Sequence, residues 1–153
     1  MVESTSTTAT PVLLNRQVLP VPYPESFDDI VVTGRIDLAR HPVQVQVALC
    51  VHRLEAEVNN GGFHQFFLNS SAEIVPHTLH ALSVIGAPRT KRLLEEAIAV
   101  AFPSGYPADP ADIQAALADF DDVADELERL DSEFCLYNEP LTDLVNAYLA
   151  GSI

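Results

Sequence analysis

The chain has 153 residues, of which 48% are hydrophobic, so it can bury the core of one domain. No apolar run can span a bilayer, and the first residues lack the basic region and apolar core of a signal peptide, so a cytoplasmic location is expected. The net charge of −14 should repel nucleic acid and anionic membranes, which argues against direct contact with either and favours a basic protein partner.

The first part of the chain, residues 1–24, is predicted to be an extended or disordered arm. It is rich in serine and threonine and then in proline, and it shows no hydrophobic periodicity. Residues 25–153 carry helical signals, with strand-like alternation confined to residues 30–36. The sequence therefore predicts an all-α fold, in which a single compact multi-helix domain follows the arm.

The first clear helix is predicted to begin at Pro42, because proline suits the first turn of a helix. A narrow apolar stripe at helical spacing follows, formed by Val43, Val47, Cys50, Val51, Leu54 and Val58. The polar side chains that point away from this stripe are Gln44, Gln46, His52 and Arg53. Cys50 lies on the stripe and Cys135 lies between two apolar residues, so both are expected to be small core residues, not nucleophiles or a disulfide.

A sharp bend is predicted at Asn59–Gly62, because asparagine tolerates the left-handed region and glycine enters it freely. Phe63, Phe66 and Phe67 then recur at i, i+3 and i+4, so a second helix after the bend is expected to bury an aromatic face. The whole segment Glu57–Ser70 therefore specifies one particular change of chain direction.

Two interpretations of this segment are open. In the functional one, a binding surface is built from Asn60, His64, Gln65 and Asn69. In the structural one, asparagine and glycine form the bend, the phenylalanines fill the core, and Glu57 accepts hydrogen bonds from N–H groups of the loop. The structural interpretation is favoured because each residue has a local role that explains its type.

Three further helices are predicted from local start and stop signals. One runs from about Ile74 to Ile85 and is closed by Gly86, and the next opens at Pro88. The last runs from Pro140 to Leu149 and carries apolar residues at helical spacing.

The C-terminal part contains the sharpest helix start and most of the charge. Residues 109–153 carry 12 acidic side chains and a single basic one, Arg129. Asp109 is predicted to cap a helix that continues to Leu130, with Asp131 breaking it and capping the next. One side of this helix is apolar, and the other carries an acidic face formed by Asp119, Asp121, Asp122, Asp125, Glu126 and Glu128.

The segment that holds the bend resembles the central motif of a known bacterial family. The matching residues are Glu57, Asn59, Asn60, Gly61, Gly62, Phe63, Gln65, Phe66, Phe67, Asn69 and Ser70. With weaker matches over about residues 40–150, the chain resembles the DNA-mimic protein family typified by DNA mimic protein nineteen. The resemblance implies an all-helical, dimeric protein, and the typifying member presents an acidic surface to a DNA-binding transcription factor in place of DNA.

The acidic face is dense enough in charge to fit such a role. A straight helix from Asp119 to Glu128 is about 14 Å long at ~1.5 Å per residue. One DNA strand carries a phosphate every ~3.4 Å, so this length matches about four phosphates, fewer than the carboxylates of the face. The alternative is that the face only keeps the protein soluble, but the near absence of lysine and arginine favours binding.

Protein binding through the acidic face is therefore the predicted function. The expected partner is a basic DNA-binding protein, either a transcription regulator or a nucleoid protein. The alternative partner is a toxin, which an immunity-type protein would neutralise through the same acidic surface.

No enzyme activity, metal or cofactor is expected. The one arrangement that could suggest a metal-dependent enzyme is Glu73, His77 and His80, which could share a helix face. Pro76 makes a regular helix from Glu73 doubtful, and the remaining histidines show no supporting spacing.

Overall fold

The computed structural model of the protein describes residues 13–14, 17–18, 37–70, 73–118 and 120–151. These residues contain six α-helices, which are α1 (Val43–Asn69), α2 (Ile74–Ile85), α3 (Pro88–Ala101), α4 (Pro110–Leu117), α5 (Ala124–Phe134) and α6 (Leu141–Leu149). Single-turn 3-10 helices at Leu38–Arg40 and Phe120–Asp122 precede α1 and α5. The predicted all-α fold is confirmed.

The N-terminal arm contributes two very short strands. β1 (Leu13–Leu14) and β2 (Gln17–Val18) pair antiparallel, with Leu13 opposite Val18. The predicted arm boundary at residue 24 and the strand-like residues 30–36 lie outside the described residues.

Helix α1 is the central element of the hydrophobic core. It packs against α2, α4, α5 and α6, while α3 packs between α2 and α5. The apolar stripe predicted for α1 is buried at Val47, Leu54 and Val58, whereas Val43 in the first turn is exposed. Within the described part of the chain, no helix combines the length and the hydrophobicity needed to cross a bilayer.

The predicted helix boundaries that rest on local capping signals agree with the structure. Gly86 closes α2 in the left-handed region, at φ 79° and ψ 44°, where glycine has no Cβ to clash. Pro88 opens α3 in its first turn. The Asp109 Oδ1 atom accepts a hydrogen bond from the Ala111 N–H at 2.8 Å and so caps α4.

The acidic stretch does not lie on one continuous helix, so the predicted helix from Asp109 to Leu130 is wrong. The chain leaves the α-helical path between α4 and α5, where Phe120–Asp122 form a 3-10 turn. The apolar residues Leu117, Phe120 and Val123 are spaced three apart, which suits a 3-10 turn as well as an α-helix. The apolar periodicity therefore continues across the break between α4 and α5, and the sequence pattern does not reveal that break.

Two side chains lie where the sequence did not place them. Arg53, predicted to point away from the apolar stripe, is only 1% exposed, because its charge is compensated inside the protein by Glu57. Cys135, predicted to be a core residue, is exposed, because it follows the last residue of α5 at the point where the chain turns.

The two thiols are expected to differ strongly in reactivity. Burial raises the pKa of the Cys50 thiol to about 12, which keeps it protonated and shielded, whereas Cys135 is exposed. We expect Ellman's reagent to modify Cys135 rapidly in the native protein and Cys50 only after unfolding. Cys135→Ser should abolish the rapid phase, and equal reactivity of both native thiols would contradict the buried position of Cys50.

Candidate functional site

The bend in α1 depends on the unusual backbone of two adjacent glycines. Gly61 has φ −153° and ψ 20°, and Gly62 has φ 78° and ψ −178°. The conformation of Gly62 is essentially restricted to glycine, because a side chain there would clash with the backbone. A Cβ atom on Gly62 would also lie 2.8 Å from the Asp131 Cγ atom of α5. Glycine at this position therefore allows both the bend and the close approach of α5.

A buried ion pair lies in the part of α1 before the bend, and its arginine also contacts the part of α1 after the bend. The Arg53 Nη1 atom lies 3.2 Å from the Glu57 Oε1 atom, and Arg53 Nη2 donates a hydrogen bond to the Asn69 carbonyl oxygen at 2.8 Å. Burial lowers the pKa of the Arg53 guanidinium, and the Glu57 carboxylate opposes that shift by raising it. Arg53 therefore ties the part of α1 before the bend to Asn69, the last residue of the helix.

The Glu57 carboxylate also accepts two side-chain hydrogen bonds across the bend. Gln65 Nε2 donates to Glu57 Oε2 at 2.7 Å, and Asn69 Nδ2 donates to the same oxygen at 3.0 Å. The sequence predicts that Glu57 accepts hydrogen bonds from N–H groups of the loop. The observed partners are instead the side-chain amides of Gln65 and Asn69 and the Arg53 guanidinium, so this prediction is wrong. Gln65 and Asn69 thus have a structural role that explains their amide groups.

The carboxylate that binds the N–H of the bend is Asp131, on α5. Its Oδ1 atom accepts a hydrogen bond from the Phe63 backbone N–H at 2.8 Å. Burial raises the pKa of the Asp131 carboxyl, the Phe63 hydrogen bond lowers it, Glu128 raises it, and His64 lowers it. Asp131 lies inside α5 and does not break the helix, so the predicted cap at this residue is wrong.

The aromatic residues after the bend form the part of the core that holds α5 in place. Phe63, Phe66 and Phe67 are all fully buried, as their spacing predicts. The Phe63 ring meets Phe134 of α5 edge to face, with centroids 5.8 Å apart, and Phe67 meets Phe102 in the same way at 5.1 Å. The bend therefore places Phe63 in direct contact with Phe134 of α5.

His64 connects the bend to the acidic stretch. Its ring contacts the ring of Phe120, with centroids 4.0 Å apart and planes tilted by 49°. Phe120 opens the 3-10 turn that carries Asp121 and Asp122. Since Phe63 and His64 are neighbours, the bend contacts the acidic region twice, through Asp131 and through Phe120.

The acidic residues cluster at the junction of α4 and α5. We call this region the acidic turn; its described members, all exposed, are Asp121, Asp122, Asp125, Glu126 and Glu128. Asp119, the sixth residue of the predicted acidic face, lies outside the described residues. Because the turn is not a straight helix, the length of about 14 Å used to compare it with DNA does not apply to it. The carboxylates are distributed over a 3-10 turn and the first turns of α5.

The start of α5 stabilises part of this negative charge. Asp125 and Glu126 lie in the first turn of the helix, where the helix dipole favours carboxylates by about 0.3–1 kcal/mol each. Arg129 pairs with Glu126 and Glu133 at 3.4 Å each, and such exposed pairs contribute about 0–1 kcal/mol. The local electrostatics of α5 thus favour two of the carboxylates, whereas no cation of the described residues forms an ion pair with Asp121 or Asp122 in the 3-10 turn.

Comparison of the sequence with models of known protein families identifies the family of this chain. The family model described as DMP19-like protein matches residues 39–152, which include the bend, the ion pair beneath it and the acidic turn. The chain belongs to the DMP19-like protein family. The resemblance inferred from the segment Glu57–Ser70 is thereby confirmed. No curated protein and no solved structure matches the chain significantly.

The other asparagines of the DMP19-like motif, Asn59 and Asn60, are exposed and directly precede the two glycines of the bend. Asn59 Nδ2 donates a hydrogen bond to the Tyr137 hydroxyl at 2.7 Å, which links α1 to the loop after α5. Tyr137 has a positive φ of 48°, so this contact holds a strained residue. Asn60 is exposed next to it.

The residues considered for a metal site in this DMP19-like chain do not form one. His77 Nδ1 lies 2.9 Å from the Glu73 carbonyl oxygen, so a backbone contact occupies one side of its ring. Among the described residues, no three histidine, cysteine, aspartate or glutamate side chains come together in an arrangement that could hold a metal ion.

Sequence reasoning missed the residues that join the motif to α5. Asp131 fell on the apolar side of its helical wheel, and that placement was the available signal, because a buried carboxylate needs a donor. Arg53 and Glu57 stand four apart, a spacing that favours an ion pair on a helix. No sequence signal pairs His64 with Phe120, because their contact depends on how α4 and α5 are connected.

Proposed function

We propose that the protein binds the DNA-binding surface of a basic transcription regulator or nucleoid protein through its acidic turn, and so competes with DNA. The observation that carries the proposal is the cluster of exposed carboxylates at residues 121–128, in a member of the DMP19-like family. Direct binding of nucleic acid is disfavoured by the net charge of −14.

The position of the acidic turn supports a binding role. A surface that binds a rigid partner gains affinity when it is held in place before binding, because less conformational entropy is lost. Phe120 is held by the ring of His64, and α5 is held by the hydrogen bond from Phe63 to Asp131. The carboxylates therefore stand on backbone that is fixed at both ends.

Charge substitutions in the acidic turn test the proposal. The triple variant Asp121→Asn, Asp122→Asn and Asp125→Asn removes exposed charge without changing size, and it should weaken binding of a basic partner because its long-range attraction falls. The measurement is capture of proteins from a native lysate on immobilised protein at low salt, followed by elution with duplex DNA. The wild-type protein should retain a basic DNA-binding protein that DNA displaces.

A matched control separates local from overall charge. The variant Glu73→Gln, Glu95→Gln and Asp112→Asn removes the same amount of exposed charge away from the acidic turn. It should retain the partner, whereas the Asp121, Asp122 and Asp125 variant should lose it. Equal retention by both variants would contradict the proposal. A partner that requires the acidic turn but is not displaced by DNA would instead indicate immunity-type neutralisation of a toxin.

A further inference from the structure

A groove between α3 and α5 brings together three arginines of a chain that has few cations. It has a volume of about 510 Å³ and is lined by Arg89, Arg92 and Arg129, with the apolar side chains of Leu93 and Phe134. The whole sequence contains 8 lysines and arginines against 22 acidic residues. Two glutamates, Glu96 and Glu133, also line the groove, so the three arginines give it a small excess of positive charge in a protein whose net charge is −14.

Two of these three arginines differ from the third in forming no ion pair with a described carboxylate. Arg129 is paired with Glu126 and Glu133, but the guanidinium groups of Arg89 and Arg92 form no ion pair with any carboxylate of the described residues. Glu96 and Glu133 line the groove, but in the part of the chain that the structure describes neither lies within ion-pair distance of Arg89 or Arg92. Unpaired guanidinium groups in a groove are well suited to a carboxylate or phosphate, which they can bind through two parallel hydrogen bonds.

The backbone donors at the start of α3 are already occupied, so they are not the site. The Glu139 carboxylate accepts hydrogen bonds from the Arg89 N–H at 2.9 Å and from the Thr90 N–H and hydroxyl at 2.8 Å each. This contact fixes the backbone that carries Arg89 beside the loop after α5. The side chains of Arg89 and Arg92 are left to bind an anion in the groove.

We propose that this groove binds a small organic anion, with its phosphate or carboxylate group held by Arg89 and Arg92 and its apolar part against Leu93 and Phe134. The volume of the groove falls within the range of about 300–1,000 Å³ that is usual for small-molecule sites. The proposal does not depend on the acidic turn, which uses other residues and another kind of partner.

Titration with simple anions tests the site. The full-length protein, labelled with ¹⁵N, is titrated with inorganic phosphate, phenyl phosphate and benzoate, and the backbone and arginine side-chain N–H signals are followed by NMR. We expect saturable shifts centred on Arg89 and Arg92, with phenyl phosphate binding more tightly than inorganic phosphate because its ring covers apolar surface. Comparison of phenyl phosphate with benzoate distinguishes a phosphate site from a carboxylate site.

Variants that are expected to change the affinity for phenyl phosphate in opposite directions make the test specific. R89Q/R92Q should weaken phenyl phosphate binding about tenfold or more. E96Q should strengthen binding, because it removes a repelling carboxylate from the groove. K91Q is the matched control, since Lys91 is the cation between the two arginines but does not line the groove, and it should leave binding unchanged. Unchanged thermal unfolding of all three variants checks that the fold is retained.

Three outcomes would overturn the proposal. One is the absence of saturable binding by every probe, and another is equal weakening by K91Q and by each of the single variants R89Q and R92Q, which would reflect overall charge. The third is self-association that R89Q/R92Q abolishes while no probe binds, which would assign the groove to a second copy of the chain. None of these outcomes bears on the acidic turn, so the two proposals fail separately.

Discussion

Replacing Glu57 by alanine is expected to lower the free energy of unfolding by about 3–5 kcal/mol, because it removes one partner of the buried ion pair with Arg53. The amides of Gln65 and Asn69 lose their acceptor in the same variant. The measurement is urea unfolding followed by circular dichroism. This effect is large because the carboxylate compensates a charge and satisfies two amides in one place.

A double variant distinguishes the ion pair from simple loss of packing. Arg53→Met with Glu57→Leu removes both charges and keeps apolar volume, so it should be less destabilised than Glu57→Ala alone. The control Glu95→Ala removes an exposed helical glutamate and should change stability by about 0.5 kcal/mol or less. If Glu57→Ala were no more harmful than Glu95→Ala, the buried pair would contribute nothing to the fold.

Replacing Gly62 by alanine should also destabilise the protein strongly, by about 2–5 kcal/mol. Its φ of 78° and ψ of −178° are accessible almost only to glycine, and a new Cβ would press on the Asp131 carboxylate. The variant should also shift the NMR signal of the Phe63 N–H, because the hydrogen bond to Asp131 is displaced. Equilibrium unfolding in urea gives the change in stability.

Gly86 provides a comparison in the ordinary left-handed region, at ψ 44°, which other residues can also adopt. It has nearly the same φ, 79°, but no atom within 4 Å of an added Cβ. Gly86→Ala should therefore cost about 1–2 kcal/mol, the usual penalty for a side chain in the left-handed region. Equal destabilisation by the two variants would contradict the larger cost expected at Gly62 from its backbone conformation and from the approach of Asp131.

The features that could be predicted from the sequence are those determined by near neighbours along the chain. The end of α2 at Gly86, the start of α3 at Pro88 and the cap of α4 at Asp109 depend on the conformational preference of one or two residues. The bend at Gly61–Gly62 is of the same kind. Such features can be predicted because certain residue types strongly favour particular backbone conformations.

The features that could not be predicted depend on contacts between distant parts of the chain. The break between α4 and α5 is invisible to a helical wheel, because Phe120 keeps its apolar spacing while its ring packs on His64. The sequence predicts a helix start at Asp131 because its hydrogen-bond partner, the Phe63 N–H, lies 68 residues away along the chain. A single sequence contains no record of which distant group satisfies a buried carboxylate.

The way the bend meets the acidic turn leaves the two free to change separately. The meeting points are a backbone N–H held by Asp131 and an aromatic ring held by His64. Neither contact depends on which side chains stand at Asp121, Asp122 or Asp125, since these project into solvent. The charges of the turn can therefore change while the glycine bend stays the same, so substitutions that alter the surface charge need not alter the fold.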